Sequence, residues 1–384
     1  MSTVTNGTTR RTRTPYRHDM VGSFLRPQAL KDAREKWARG EIPAEELRAV
    51  EDAEIIRLVE KQKSVGLKAV TDGEFRRSWW HLDFMWGLDG VVKAESGQGY
   101  LFHGIETRAE TARLTGRIRF TADHPFLDHY RFLHRLAGDD AVARQTLPAP
   151  AQFLAELQRP ENAASTAAVY ADADADRLLT DIAAAYREAI LAFYEAGCRS
   201  IQLDDCTWGM LCDAGFRETL ERSGGSAEDA AAAYARVNRE AIRGLPEDLA
   251  VTTHVCRGNY ASAWASSGGY EPVADTLFGM EEYDGYYLEF DTDRSGGFAP
   301  LSALGDRQVV LGLISSKDGE LEDKDAIVGR VREAARIVGL DHICLSPQCG
   351  FASTEEGNLL TEEQQWRKLE LIKEIADELW TDEP

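Results

Sequence analysis

Hydrophobic residues in this chain follow two rhythms. Short, nearly unbroken apolar runs end at polar or charged residues: Val21–Phe24, Ala69–Asp72, Gln145–Pro148, Ser200–Asp204, Leu249–His254, Tyr286–Glu289, Gln308–Ile314 and His342–Ser346. Longer stretches with helical spacing lie between them. These run to about Val65 with Pro43 at a helix start, then Ala168–Ala196 stopped by Gly197, Ala227–Arg243, Pro272–Phe278, Lys324–Val338 and Glu362–Leu379. Runs without alternation are strands buried on both faces, as in a parallel sheet covered by helices. About eight strand–helix units predict an α/β chain folded as a (β/α)8 TIM barrel rather than an open doubly wound sheet. No glycine-rich dinucleotide or phosphate-loop fingerprint follows the first run, which weakens the open sheet further. A stretch from about 76 to 121, rich in glycine and aromatics and alternating around Ala112–Gly116, reads as an insertion after the second strand. Residues 1–15 lack apolar periodicity and read as a disordered tail, leaving 16–384 as one barrel domain.

A barrel places its chemistry at the carboxyl ends of its strands. Ser23, Glu74, Asp204, Asp205, His254, Cys256, Glu289 and Cys349 all fall at or just past predicted strand ends. Residues two apart on a strand share a face, so His254 and Cys256 present imidazole and thiolate side by side. A thiolate beside an imidazole suits zinc, and Glu289 and Cys349 from two other strand ends complete a four-ligand set. Each element has a plainer reading when taken alone. A lone histidine is as often a hydrogen-bonded core residue, and single cysteines are more often small buried hydrophobes. Glu289 could instead form an ion pair with Arg294 or Arg257. Convergence on one barrel mouth is what favours the metal.

Composition narrows the partners. A net charge of −21 argues against nucleic acid, which needs a concentrated basic face. Arginines cluster only in the tail, at Arg10, Arg11 and Arg13, and no run approaches a membrane span or an apolar signal core. Six cysteines in 384 residues are too sparse for a disulfide scaffold, so the expected compartment is the reducing cytoplasm, where thiols are free for metals. Oligomeric state is not legible, and a homo-oligomer stays open.

Several strings resemble those of cobalamin-independent methionine synthase. They are Val21-Gly22-Ser23-Phe24, Asp72-Gly73-Glu74-Phe75, Ile201-Gln202-Leu203-Asp204-Asp205, His254-Val255-Cys256-Arg257-Gly258-Asn259 and Ser346-Pro347-Gln348-Cys349-Gly350. The resemblance runs from about Tyr16 through nearly the whole chain. It corresponds to the carboxy-terminal catalytic barrel of that enzyme and, more closely, to the short single-barrel bacterial members. It implies that His254, Cys256, Glu289 and Cys349 bind Zn2+, and that Ser23, Glu74 and Asp204 hold an amino-acid thiol such as homocysteine. The acids make sense independently, since an ammonium group needs carboxylates; otherwise Asp204 caps a turn and Glu74 pairs with Arg76 or Arg77. An alkyl thiol is mostly protonated at neutral pH, and a zinc site of charge −1 would supply it as a thiolate nucleophile for a methyl donor.

Departures from the family pattern fall on the donor side. The resemblance matches no part of the amino-terminal barrel that helps hold folate, Ser315 stands where a histidine is expected, and Cys206 follows Asp204-Asp205 where Asp-Glu-Pro would run. Folate, a methyl-corrinoid and another activated alkyl compound therefore all remain candidate donors. Trp208 could stack on a flat donor or merely cover the barrel mouth. Trp79 and Trp80 read as a lid, Trp86 as core, and Cys206 and Cys212 as structural. Two other functions compete: a zinc-thiolate alkyltransferase or C–S lyase resembling epoxide–coenzyme M transferases, and a non-catalytic zinc or thiol binder. A sulfonate thiol would prefer arginines at positions 74 and 204, so the acids favour an amino-acid thiol.

Overall fold

The computed structural model describes residues 13–171 and 175–381. Its strands are β1 (Ala69–Val70), β2 (Asp89–Glu95), β3 (Leu101–Phe102), β4 (Ile105–Glu106), β5 (Glu110–Arg119), β6 (Val142–Ala143), β7 (Gln145–Pro148), β8 (Ser200–Asp205), β9 (Ala250–Val255), β10 (Gly285–Glu289), β11 (Gln308–Ile314) and β12 (Ile343–Pro347). The helices are α1 (Gln28–Ala38), α2 (Ala44–Ser64), α3 (Leu82–Trp86), α4 (Pro125–Ala137), α5 (Pro150–Leu157), α6 (Pro160–Val169), α7 (Ala175–Glu195), α8 (Thr207–Cys212), α9 (Ala214–Arg222), α10 (Ala227–Ile242), α11 (Ala274–Phe278), α12 (Lys324–Val338) and α13 (Glu362–Leu379).

The fold is an α/β barrel. Strands β7 to β12 form one sheet in sequence order, every neighbouring pair parallel. Strand β1 pairs in parallel with β6, which continues into β7 through Arg144. Buried β-branched and leucine side chains fill β8, β9, β11 and β12, which is why their apolar runs do not alternate. Helix ends carry local signals. Asp323 caps α12, Thr361 and Gln364 form a reciprocal capping box on α13, and Gly339 follows α12 at φ 80°.

The expected first strand, Val21–Phe24, is not a regular strand. Residues 17–24 nonetheless occupy the barrel position between β12 and β1. The Asp19 amide donates to the Leu345 carbonyl (3.0 Å) and the Leu345 amide to that of Arg17 (2.9 Å), while the Phe24 amide donates to Gly73 (3.2 Å). A buried pair ties this segment inward: Arg144 binds Asp19 at 2.9 Å, and the Tyr287 hydroxyl donates to the same carboxylate. These few backbone bonds, backed by the side-chain bonds to Asp19, stand in for a continuous ladder.

The single helix expected over residues 168–196 divides. Tyr170 leaves α6 with extended backbone, because its hydroxyl is held by the Ile118 amide and by Asp181. Helices α3, α4, α5, α8 and α9, and most of α6, have no counterpart among the helices expected from the sequence. The expected tail lies outside the described residues as far as position 12, but Thr14 is buried with its hydroxyl 2.9 Å from that of Ser200. The insertion contains α3, an antiparallel β2–β5 ribbon and a small β3–β4 hairpin. It docks through Glu156, whose carboxylate accepts from Tyr100 (2.7 Å) and Thr111. The hairpin reaches the mouth of the barrel, where the His103 amide donates to Trp264 (2.8 Å). No described helix is long and apolar enough to cross a membrane.

Candidate metal centre

Parallel register gathers the chemistry at one end of the sheet. Asp204 on β8 stands opposite His254 on β9, and His254 opposite Tyr287 on β10, two residues before Glu289. Cys256 follows β9 directly, and Cys349 lies just past β12. The potential ligand atoms of His254, Cys256, Glu289 and Cys349 all lie within 4.8 Å of one another, and all four residues are buried. The two sulfurs are 3.7 Å apart. Two Zn–S bonds of about 2.3 Å at a tetrahedral angle span roughly 3.8 Å, so the spacing matches a shared ion.

Surrounding contacts aim the ligands. His254 Nδ1 is 3.3 Å from the Tyr287 carbonyl, which sets the tautomer and turns Nε2 inward; Nε2 is buried without a hydrogen-bond partner. The Gly258 amide donates to Cys256 Sγ at 3.3 Å. Asn259 clamps the two cysteine loops together by donating to the Gly350 carbonyl (2.7 Å), and Asn358 holds the Asn259 oxygen. Glu289 accepts from the Arg257 amide at Oε1 (2.8 Å) and from Arg294 at Oε2 (3.1 Å). Glu289 thus forms the Arg294 ion pair while its carboxylate stays within reach of the other three candidate ligands. The Arg257 guanidinium goes elsewhere, stacking 4.4 Å over Tyr270.

Without a cation this cluster is electrostatically awkward. The Cys206 thiol beside it, together with burial, pushes the Cys256 thiol well above its ordinary range. The neighbouring Cys256 and burial do the same to Cys349. Burial alone would depress the His254 imidazole, but Cys349 and Glu289 beside it raise it instead. An orphaned imidazole nitrogen, two adjoining sulfurs and a buried carboxylate fit a zinc ion, and the donor set favours zinc over harder metals.

The cluster opens onto a small cleft lined by Ser23, Glu74, Trp80, Asp204, His254, Cys256 and Cys349 among others. Glu74 follows Gly73, and both have positive φ, 62° and 67°; the Asp72 carboxylate stabilises the turn by accepting from the Glu74 amide. Its Oε1 is held by Thr146 (2.9 Å) and Arg77 (3.2 Å), whereas Oε2 is buried without a partner. Asp204 Oδ1 accepts from Gln202 at 2.8 Å. Burial raises both carboxyls above their usual range, and Glu74 raises Asp204 further. Two crowded acids in a dry cleft will favour a bound cation.

Not every expected residue reaches this cleft. Trp208 is fully buried against Tyr234 and is not part of the cleft lining. Trp79 is core rather than lid, donating from its indole to Glu110, while Trp80 does line the cleft. Trp86 donates to the Thr111 carbonyl beneath the insertion. Ser315 lies outside the lining, its amide bonded to Glu322 (2.7 Å). Cys206, expected to be structural, neighbours Cys256 and is the one described cysteine that is not buried. The register of β8 on β9 was the signal available for it, since Asp205 pairs with Val255.

Residues 157–376 match the family model for the catalytic domain of cobalamin-independent synthase. The Bacillus subtilis protein YxjH, itself uncharacterised, is 48% identical over 97% of both chains. A Listeria monocytogenes protein assigned provisionally as a vitamin B12-independent methionine synthase has a TM-score of 0.75 and 42% identity, covering 95% of this chain and 98% of that one. The Lactiplantibacillus plantarum 5-methyltetrahydropteroyltriglutamate–homocysteine methyltransferase is 21% identical over 88% of this chain but only 40% of its own length. On the matched domain and the two full-length similarities, this chain belongs to the cobalamin-independent methionine synthase family.

Proposed function

We propose that the chain is a zinc-dependent thiol S-methyltransferase that converts homocysteine to methionine. The observation that carries this reading is the shared cleft: the His254–Cys256–Glu289–Cys349 cluster and the acid pair Glu74 and Asp204 line or adjoin one small opening. Bound zinc would hold the substrate sulfur as a thiolate near neutral pH. The protein's own residues then do the positioning. The free oxygen of Glu74 and the Asp204 carboxylate receive the ammonium, and Ser23, whose hydroxyl accepts from the Ala352 amide (3.3 Å), closes the side next to Gly350. Fixing the amino group sets the direction of the sulfur, and aligning sulfur with the carbon to be transferred is chiefly an entropic task. Trp80 offers an apolar wall for the donor. A reducing cytoplasm suits these thiols.

The test is methionine formation by zinc-loaded protein from homocysteine, with methyl-folate, methyl-corrinoid and small activated methyl compounds supplied in parallel. Methionine from one donor supports the reading and identifies the donor. No methionine from any of them rejects it.

A further inference from the structure

The loop after β11 rises between two strand ends that carry candidate ligands, since Gly312 pairs with Glu289 on one side and Ser346 on the other. Ser316 ties this loop to the chain after Cys349. Its hydroxyl donates to the Gly350 carbonyl (2.9 Å), and Asn358 donates to the Ser316 carbonyl (2.7 Å). The Lys317 amide donates to Ser315 Oγ at 3.2 Å, so the Lys317 backbone is fixed at the barrel mouth. Its Nζ is buried and has no hydrogen-bond partner. The acids around this loop are engaged elsewhere. Glu322 holds Lys368 (3.1 Å) and the Ser315 amide (2.7 Å), and the Asp291 side chain, only 2% exposed, holds Arg294 at 3.4 Å. A buried ammonium without an acceptor is costly, and a ligand that supplies one removes that cost. A second cation stands in the same region. Arg330 of α12 rests 5.4 Å from the Phe298 ring and forms no ion pair among the described residues; like Lys317, it feels Asp291 through space. Arg294 is occupied by Glu289 and Asp291, which leaves Lys317 and Arg330 as unengaged cations on a chain of net charge −21.

We infer that Lys317, backed by Arg330, forms an oxyanion subsite that receives a carboxylate or phosphate carried by the methyl donor, and so selects an anionic donor. This rests on the methyl-transfer reading above and goes beyond it by naming the chemical class of the second substrate. The topology agrees. Counted from residues 17–24, β11 occupies the seventh barrel position, and barrels frequently hold phosphate at the loops after their seventh and eighth strands. Lys317 does not line the cleft beside the metal cluster, so it grips a part of the donor remote from the carbon to be transferred. It is therefore a positioning residue, and its loss acts on donor affinity. On so acidic a chain, a local pair of cations is also what lets an anion approach the mouth at all.

The experiment uses full-length, zinc-loaded protein and measures equilibrium binding of two donors. Methyl-folate carries carboxylates, methylcobalamin carries a phosphate, and methylcobinamide, which lacks that phosphate, is the control. For Lys317→Met we expect the anionic donor that binds wild type to lose about tenfold or more in affinity, the size of a charged hydrogen bond, with homocysteine half-saturation unchanged. Lys317→Arg should recover much of the loss. If methylcobalamin is the donor that binds, methylcobinamide should bind wild type and Lys317→Met equally. Melting of the ligand-free protein separates a structural role. An ammonium that serves Asp291 destabilises the fold when removed, whereas one held for a ligand leaves the melting temperature unchanged or higher in Lys317→Met. Arg330→Gln should weaken the same donor, and it tests the inference if Lys317→Met does not fold. Lys317→Met that melts lower while binding the donor like wild type overturns the inference. So does a wild type that binds neither anionic donor, and methionine formed from a neutral or cationic methyl compound would then leave the methyl-transfer reading standing. Donor binding that depends on Lys317, with no methionine formed from any donor, overturns that reading and keeps the subsite.

Discussion

The sulfurs of Cys256 and Cys349 lie 3.7 Å apart although 93 positions separate them in the chain. They come from loops after two strands that are not neighbours, β9 and β12, and are clamped together by Asn259 and Asn358. Replacing either cysteine by serine removes a soft ligand from a set that has no described substitute with the same geometry. Zinc affinity should fall by at least about a hundredfold, beyond what an outer-shell partner costs. Methyl transfer should fall with it. Metal analysis after dialysis against a weak chelator checks this; full retention of zinc by either variant would remove the cluster as the metal site.

Zinc binding should also release protons. Both thiols are held above their ordinary range in the metal-free cluster, so they enter the reaction protonated and leave as thiolates. Apparent zinc affinity should therefore rise with pH, with about two protons expelled from the thiols per ion and a further contribution from His254, which its neighbours raise. Chelator competition at several pH values gives the slope. A pH-independent affinity would mean that the cysteines are not ligands.

Asp204 and Glu74 lead to a prediction about stability. Burial raises both carboxyls, so between their ordinary values of 3.8 and 4.5 and their folded values the native state holds more protons than the unfolded one. Stability without substrate therefore decreases as pH rises through that range. Asp204→Asn removes one of these groups. The variant should gain on wild type as pH rises, the difference vanishing toward pH 3.8. It should lose homocysteine affinity at the same time, by about 1.5–3 kcal/mol for a charged hydrogen bond. Thermal melts across pH and substrate titration check the two halves separately.

The sequence makes strand ends legible because β8 to β12 are short, apolar and buried on both faces, so each stops where a polar residue begins. Helix ends at Lys324 and Glu362 are legible for the same local reason, their caps at Asp323 and Thr361. What fails is whatever depends on partners distant in sequence. Residues 21–24 look like a strand, yet the segment is anchored through Asp19 to Arg144 and Tyr287 and by isolated backbone bonds to Leu345 and Gly73. Trp208 stands just past a strand end, yet it is buried against Tyr234 of α10, a partner distant in sequence. Cys206 and Arg294 gain their importance only from register and from a turn that reaches back to Glu289.

Gly209 and Gly329 should respond oppositely to alanine. Gly209, in α8, packs so closely on the zinc loop that a Cβ would lie 2.2 Å from the Cys256 carbonyl oxygen. That oxygen belongs to the backbone, and the adjacent amide is bonded to Asp205 (3.3 Å), so the loop cannot yield without carrying Cys256 with it. Overpacking of this kind costs about 1–3 kcal/mol, and here it should also weaken zinc binding. Gly329 lies on the exposed face of α12, with nothing within 4 Å of an added Cβ. Alanine there should stabilise the helix by about 0.5–1 kcal/mol and leave zinc affinity unchanged. Melting curves with and without zinc separate the two effects: Gly209→Ala should lose part of the zinc-dependent stabilisation, and Gly329→Ala should keep all of it. Equal zinc-dependent stabilisation in both variants would show that α8 does not support the Cys256 loop.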